Sequence, residues 1–235
     1  MVKLYKVGGA VRDELLGVAP SDIDYAVEAA DFAEMRAFLA DRPATSIFLE
    51  KAGFGTIRAK NRDTGEVIDY TLCRKDGRYS DRRRPDSIEA TDILTDLARR
   101  DFTINAIAVD AETGALLDPH KGADDIRRGL IRCVGAARDR MAEDPLRLLR
   151  AFRFSVTKDF TICDSIRELF GDAEFAPLLR GVAVERRLEE LRKAFEHDTA
   201  RTLRLLSELP PEFVENVFHG GLWLLPTTRR PKRAR

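Results

Sequence analysis

The stretch Ser21-Asp22-Ile23-Asp24-Tyr25-Ala26-Val27 constrains this chain most. Apolar Ile23, Tyr25 and Val27 alternate with Asp22 and Asp24, which is the period of a β-strand. A strand with this pattern buries one face and presents two carboxylates side by side on the other. Mg²⁺ takes such hard oxygen ligands, using one or two protein carboxylates and leaving its other positions to water and phosphate. Taken alone, Asp-x-Asp also fits a solvated strand end. Its surroundings decide its meaning.

Upstream, Leu4 to Val7 predicts a short strand that runs into Gly8-Gly9-Ala10-Val11-Arg12-Asp13 and a helix ended by Gly17. Val11, Leu15 and Leu16 would form that helix's buried face. A strand, two glycines and a helix start let backbone N–H groups approach a phosphate, and Arg12 would add a guanidinium. The Rossmann and P-loop patterns are absent. A plain Gly-Gly turn is the structural alternative.

Downstream, a helix is predicted over 31–39 and a strand over 46–49. Strands over 54–59 and 67–73 would pair as a hairpin through Asn61-Arg62-Asp63-Thr64-Gly65. Asp69 interrupts the second of these apolar strands. It reads either as an edge residue or as a third carboxylate meeting Asp22 and Asp24. Residues 74–86 are charge-dense and aperiodic, and read as a mobile loop or as a flap that contacts nucleic acid or incoming nucleotide. A helix over 91–97 leads to Arg99-Arg100-Asp101-Phe102-Thr103-Ile104-Asn105-Ala106. Polar groups inside an apolar run need partners, and arginine suits phosphate.

Short strands are expected at 116–119 and 130–134, with a helix between them over 122–128. Together with the earlier strands they predict a mixed sheet of about five. From Arg138 the pattern turns helical. Asp144-Pro145 is a good helix start. Arg147, Arg150 and Arg153 follow at every third residue, a stripe with no Lys or Glu between them. Leu146, Leu148, Leu149, Ala151 and Phe152 would fill the opposite side. Such a stripe reads as a solvated face or as a nucleotide-facing surface. Further helices are expected at 164–170, 184–195 and 199–206.

Length and composition set the outer limits. A chain of 235 residues, 44% hydrophobic and 34% charged, has room for one large domain or two small ones. The net charge is zero, so attraction to nucleic acid has to come from local patches. Arg229, Arg230, Lys232, Arg233 and Arg235 form one, read as a disordered solubilising tail or an RNA contact. Cys73, Cys133 and Cys163 are odd in number and widely spaced, which favours a reducing compartment and argues against zinc. His120, His197, His219 and the lone Trp223 form no ligand pattern. No signal core or membrane-length apolar run occurs, so a cytoplasmic location is expected.

In order, Gly8–Asp13, Asp22-x-Asp24, Arg99–Ala106, Asp118-Pro119 and Glu143–Phe154 resemble the successive motifs of the class II tRNA nucleotidyltransferases (CCA-adding enzymes) and bacterial poly(A) polymerases. Val184-Glu185-Arg186 resembles the next motif, with Arg187 standing where the family usually has an apolar residue. The resemblance covers roughly residues 1–195. It implies an α+β fold: a polymerase-β-like nucleotidyltransferase head over 1–137, a helical neck over 138–225 and a basic tail over 226–235.

The resemblance also implies roles. Gly8, Gly9 and Arg12 would hold the triphosphate. Asp22 and Asp24 would bind two Mg²⁺ ions, with Mn²⁺ as a substitute, and Asp69 would help activate the primer 3′-hydroxyl. Arg100, Asp101 and Asn105 would bind the sugar and phosphates of the incoming nucleotide. Asp144 and Arg147 would read its base, with Arg150 and Arg153 completing the site. Asp144 keeps a second reading as a helix N-cap. The implied partners are ATP, CTP and the 3′ end of tRNA or another RNA. The implied reaction is CCA addition. Partial CC or A addition and poly(A) synthesis are alternatives on the same chemistry, and a catalytically silent RNA binder is an alternative of another class. Family members that add CCA usually continue into long helical body and tail domains, whereas this sequence stops at Arg235. A reduced, virus-borne form and a truncation both fit.

Overall fold

The structure is a computed structural model that describes residues 1–20, 22–80 and 85–220. Ser21, the loop residues Asp81–Arg84, Trp223 and the expected basic tail lie outside the described residues. The chain divides into two compact units, Met1–Arg128 and Gly129–Arg235.

The first unit is built on a mixed sheet. Its strands are β1 (Lys3–Val7), β2 (Ile23–Glu28), β3 (Thr45–Lys51), β4 (Thr56–Asn61) and β5 (Val67–Leu72). After a separate short pair, β6 (Arg74–Asp76) and β7 (Ile88–Ala90), the sheet continues with β8 (Ala108–Asp110) and β9 (Leu116–Leu117). Seven strands lie in the order β3-β4-β5-β2-β1-β8-β9. Only the β2–β5 pair in this sheet is parallel. Helices α1 (Gly9–Leu15), α2 (Phe32–Ala40), α3 (Ile93–Ala98) and α4 (Gly122–Arg128) complete the unit.

Strand alternation does the sorting. Val27, Ile57, Ala59, Ile68, Tyr70 and Leu72 point to one face and pack with Met35 and Leu39 of α2. Tyr25 and Tyr70, direct neighbours in register, stack with ring centroids 5.6 Å apart. The intervening residues Arg58, Asp69 and Asp24 are thereby sent to the other face. Helix α2 starts where Asp31 accepts the Glu34 N–H at 2.8 Å, and Glu34 returns the favour to the Ala30 N–H at 2.7 Å.

The second unit is mostly helical. It contains β10 (Leu130–Ile131), α5 (Ala137–Glu143), α6 (Leu146–Thr157), β11 (Thr161–Ile162), α7 (Asp164–Phe170), α8 (Val184–His197), α9 (Thr199–Ser207) and α10 (Pro211–Phe218). Arg187 of α8 is fully buried and reaches the end of α10. Its Nη1 donates to the carbonyls of Asn216 at 3.0 Å and Val217 at 2.5 Å, and its Nη2 donates to that of His219 at 2.8 Å. Its Nε donates to Val182 O at 3.1 Å. A guanidinium thus satisfies carbonyls that a helix end leaves open.

Several expectations change. The sheet has seven strands rather than about five, and one of them, β8, is hidden in the buried apolar run that follows Asn105. The strand expected at 130–134 does not join that sheet. Leu130 and Ile131 pair in parallel with Thr161 and Ile162 of the second unit. The division therefore falls at 128/129, ahead of the 137/138 boundary placed where helical composition begins. The aperiodic segment 74–86 is not a loop from its first residue, since Arg74, Lys75 and Asp76 pair with Ala90, Glu89 and Ile88. Leu15, expected on the buried face of α1, is exposed. Helix α6 is buried round most of its circumference, Arg147 and Phe154 included, rather than along one side. Helix α10 was not expected. Among the described residues no helix is long and apolar enough to cross a membrane.

Candidate active site

The parallel register of β2 and β5 sets Asp24 directly beside Asp69, and the antiparallel register of β5 and β4 sets Asp69 beside Arg58. Asp22 lies just ahead of β2. The Asp24 carboxyl is pushed above the usual carboxylate range. Loss of hydration is the largest cause and the charge of Asp69 the next. Both oppose ionisation, as does Asp22, and they outweigh the attraction of Arg100 and Arg58. Asp69 is held by Arg58 in a two-pronged ion pair, Nε to Oδ1 at 2.5 Å and Nη2 to Oδ2 at 2.6 Å.

Repelling carboxylates on one rigid strand face are the donor set a divalent cation relieves. Among the described residues no three carboxylate, imidazole or thiolate groups are arranged to hold one ion. An ion here would draw on the pair Asp22 and Asp24, with water and phosphate oxygens completing its shell. That is the usual habit of Mg²⁺, so the residues present fit the expected group.

Beside this face, β1 turns into α1 at Gly8, whose φ of +69° favours glycine. A Cβ there would stand 3.2 Å from Nη1 of Arg100. Arg12 is buried, with its Nε on Asp13 Oδ1 at 2.9 Å and its Nη1 on Asn105 Oδ1 at 2.7 Å. Asn105 Nδ2 donates to Asp101 Oδ1 at 3.1 Å. Arg100 donates from Nε and Nη2 to Asp96 Oδ2 at 3.2 and 2.9 Å. Gly8, Arg12, Arg100, Asp101 and Asn105, separated by some ninety positions in sequence, thus form one hydrogen-bonded cluster around the turn after β1, with Gly9 beside Arg12.

Asp96 anchors the cluster from below. It is 1% exposed. Its Oδ1 takes Arg99 Nη2 at 2.7 Å and the Arg74 backbone N–H at 3.2 Å. Burial alone would raise its pKa, but the charges of Arg100 and Arg99 and their hydrogen bonds hold it below the usual range. Asp118 caps α4, accepting the N–H groups of Gly122 and Ala123 at 2.6 and 2.9 Å.

In the second unit the arginine stripe is partnered. Arg147 Nη1 donates to Glu143 Oε2 at 2.5 Å and to Arg140 O at 2.8 Å. Arg153 Nε donates to Glu190 Oε2 at 2.5 Å, with Arg150 Nη1 3.6 Å from Oε1 of the same carboxylate. Asp144 accepts the Leu146 N–H at 3.1 Å and Arg186 Nη2 at 2.6 Å. It therefore serves the helix start and also receives a cation. The carboxylate that meets Arg147 is Glu143, while Asp144 pairs with Arg186.

Sequence reasoning missed Arg58, Asp96, Glu143 and Glu190 as members of these clusters. Two had a local signal: Asp96 precedes Arg99 and Arg100 by three and four, and Glu143 precedes Arg147 by four, the spacings at which helical side chains meet. Arg58 and Glu190 reach their partners only through strand register and helix packing.

Comparison with known proteins identifies the frame. Residues 4–132 match the family described as the poly A polymerase head domain. The chain belongs to this family. The match covers nearly all of the first unit and runs four residues beyond it. A CCA-adding enzyme of Geobacillus stearothermophilus is 40% identical over 206 residues, 87% of this chain and 48% of that protein. The CCA-adding enzyme of Oceanobacillus iheyensis is 37% identical over 220 residues, 92% of this chain and 52% of that one. Among solved structures, the Bacillus stearothermophilus CCA-adding enzyme in complex with CTP superposes with a TM-score of 0.74 at 36% identity, covering 88% of this chain and 48% of that one. A tRNA nucleotidyltransferase complexed with a primer tRNA and an incoming ATP analog gives 0.75 at 28% identity, covering 95% and 61%. The chain spans about half the length of the curated relatives it matches.

Proposed function

We propose that this chain is a template-independent RNA nucleotidyltransferase that adds CMP and AMP, from CTP and ATP, to the 3′ end of tRNA. The observation that carries the reading is the placement of Asp24 against Asp69, with Asp22 alongside, next to the Gly8–Arg12–Arg100–Asn105 cluster in a poly A polymerase head. That the relatives are CCA-adding enzymes, solved with CTP, an ATP analog and tRNA, supports tRNA and the two nucleotides as substrates.

The roles of the residues follow from their chemistry. Asp22 and Asp24 hold the divalent ions, Mg²⁺ in this reading. When bound, those ions supply charge stabilisation for the attacking and leaving oxygens of an in-line displacement at the α-phosphorus. Gly8 and Gly9 let the backbone come close to the triphosphate. Arg12 and Arg100 neutralise it from fixed positions, since Asn105, Asp13 and Asp96 hold their guanidiniums in place. Asp101 and Asn105 orient the ribose. Asp69, beside Asp24, draws the proton from the primer 3′-hydroxyl as that oxygen attacks, and pyrophosphate leaves. The protein itself positions and neutralises, and forms no covalent bond to the substrate. In the second unit, Asp144 and Arg147 offer an acceptor and a donor to the Watson–Crick edge of the base, with Arg150 and Arg153 supporting.

The test is release of pyrophosphate from CTP and ATP in the presence of a tRNA lacking its 3′ end and of Mg²⁺. Release that depends on the RNA supports the reading. Binding of RNA with no release from either nucleotide would assign the chain to silent binding instead.

A further inference from the structure

Arg58 has no place in the transfer chemistry described above, yet it lies in the same row of side chains. β4, β5 and β2 present Arg58, Asp69 and Asp24 as consecutive register neighbours. Arg58 uses Nε and Nη2 to engage both oxygens of Asp69, at 2.5 and 2.6 Å. The pair is open to water, with the arginine side chain 47% exposed and the aspartate 30%. An exposed ion pair of this kind adds little to stability, so the fold gives Arg58 little reason to be there. What it changes is the charge of the face. It is a permanent cation whose guanidinium closes both oxygens of the third carboxylate.

We propose that Arg58 is an internal counter-ion that occupies Asp69 in the nucleotide-free site, so that a divalent cation meets only Asp22 and Asp24 until Arg58 lets go. The inference rests on the reading of Asp22 and Asp24 as metal ligands. Its physical basis is competition between two cations for one carboxylate. While Arg58 grips Asp69, a metal ion on the neighbouring carboxylates faces a fixed positive charge one strand further on. Once released, Asp69 adds its negative charge to the field of Asp22 and Asp24. Arg58 is thus a positioning residue for Asp69, and it sets how much free metal the empty site needs before it fills.

The experiment is Mn²⁺ binding to the nucleotide-free protein, followed by the electron paramagnetic resonance signal of the unbound ion. Wild type, Arg58→Gln, Arg58→Lys, Asp69→Asn and the double variant Arg58→Gln/Asp69→Asn are compared. Each variant is first checked for an unchanged melting temperature, which the exposure of the pair predicts. Arg58→Gln should bind Mn²⁺ about five- to tenfold more tightly, the order expected for removing one nearby screened charge. Arg58→Lys, which keeps the charge, should stay close to wild type. Asp69→Asn should bind more weakly, and the double variant should lose the gain of the single one. Equal affinity in wild type and Arg58→Gln would overturn the counter-ion role and leave the metal reading intact. Mn²⁺ binding that is absent from wild type, or indifferent to Asp22→Ala, would overturn both.

Discussion

Asp24 and Asp69 stand side by side on the one parallel strand pair of the sheet, and their like charges oppose each other's ionisation. A pair of acids kept together on a packed sheet costs stability, since the folded state holds Asp24 where it ionises less readily than in the unfolded chain.

Asp24→Asn should therefore separate function from stability. Nucleotide incorporation should fall by at least about a hundredfold, the scale lost when a preorganised charge-stabilising group is removed. The melting temperature should stay level or rise, because a raised carboxyl pKa makes the ionised group a liability above that pKa. Thermal melts beside a labelled-nucleotide assay check both halves. Near-normal turnover would sink the assignment of Asp24.

Asp96 predicts the reverse, stability before function. Its carboxylate is buried between Arg99 and Arg100, and its pKa lies below that of the unfolded chain. A lowered carboxyl pKa stabilises the fold above the unfolded pKa, and that contribution is lost as the group protonates on acidification. Asp96→Asn should cost about 3 kcal/mol at neutral pH, since it removes the buried carboxylate that Arg99 and Arg100 share. Urea denaturation should show the difference from wild type shrinking from about pH 5 downwards. A gap that stays constant with pH would contradict the account.

Arg187 predicts a structural effect alone. It is 1% exposed and has backbone carbonyls as its hydrogen-bond acceptors, and desolvation pulls its pKa down from the usual arginine value. Arg187→Ala leaves a cavity and unmet carbonyls at the end of α10. The expected cost is about 3 kcal/mol. Incorporation per folded molecule should be unchanged. A melting temperature equal to wild type would show that α10 is held by other means.

Much of the site was legible because its signals are local. Alternation placed Asp24 on a strand face, with Asp22 falling one residue ahead of the strand rather than on it; Gly8-Gly9 marked a turn, and Asp69 stood out as an acid in an apolar strand. The opposition of Asp24 and Asp69 was open to inference because both strands were read correctly. What escaped was set by register and long-range packing. Arg58 needs the β4–β5 pairing before it meets Asp69, and Glu190 needs the packing of α8 on α6 before it meets Arg153. The two compact units divide at 128/129, ahead of the 137/138 boundary expected from helical composition, for a related reason. Leu130-Ile131 looks like one more strand of the head, and only its partner at Thr161-Ile162 assigns it to the second unit. Arg187 read as a departure from an apolar position because the carbonyls it serves lie some thirty residues downstream.

The central claim is that the chain builds the 3′ end of tRNA, and extension of end-labelled RNA tests it most directly. Three substrates are needed: a tRNA ending before its CCA, a tRNA lacking only the final A, and an unrelated RNA 3′ end. Each is incubated with Mg²⁺ and CTP, ATP or both. The account predicts three added residues on the first, one on the second and no extension of the third. Unlimited A addition to all three would make the chain a poly(A) polymerase, and no addition to any would contradict the account.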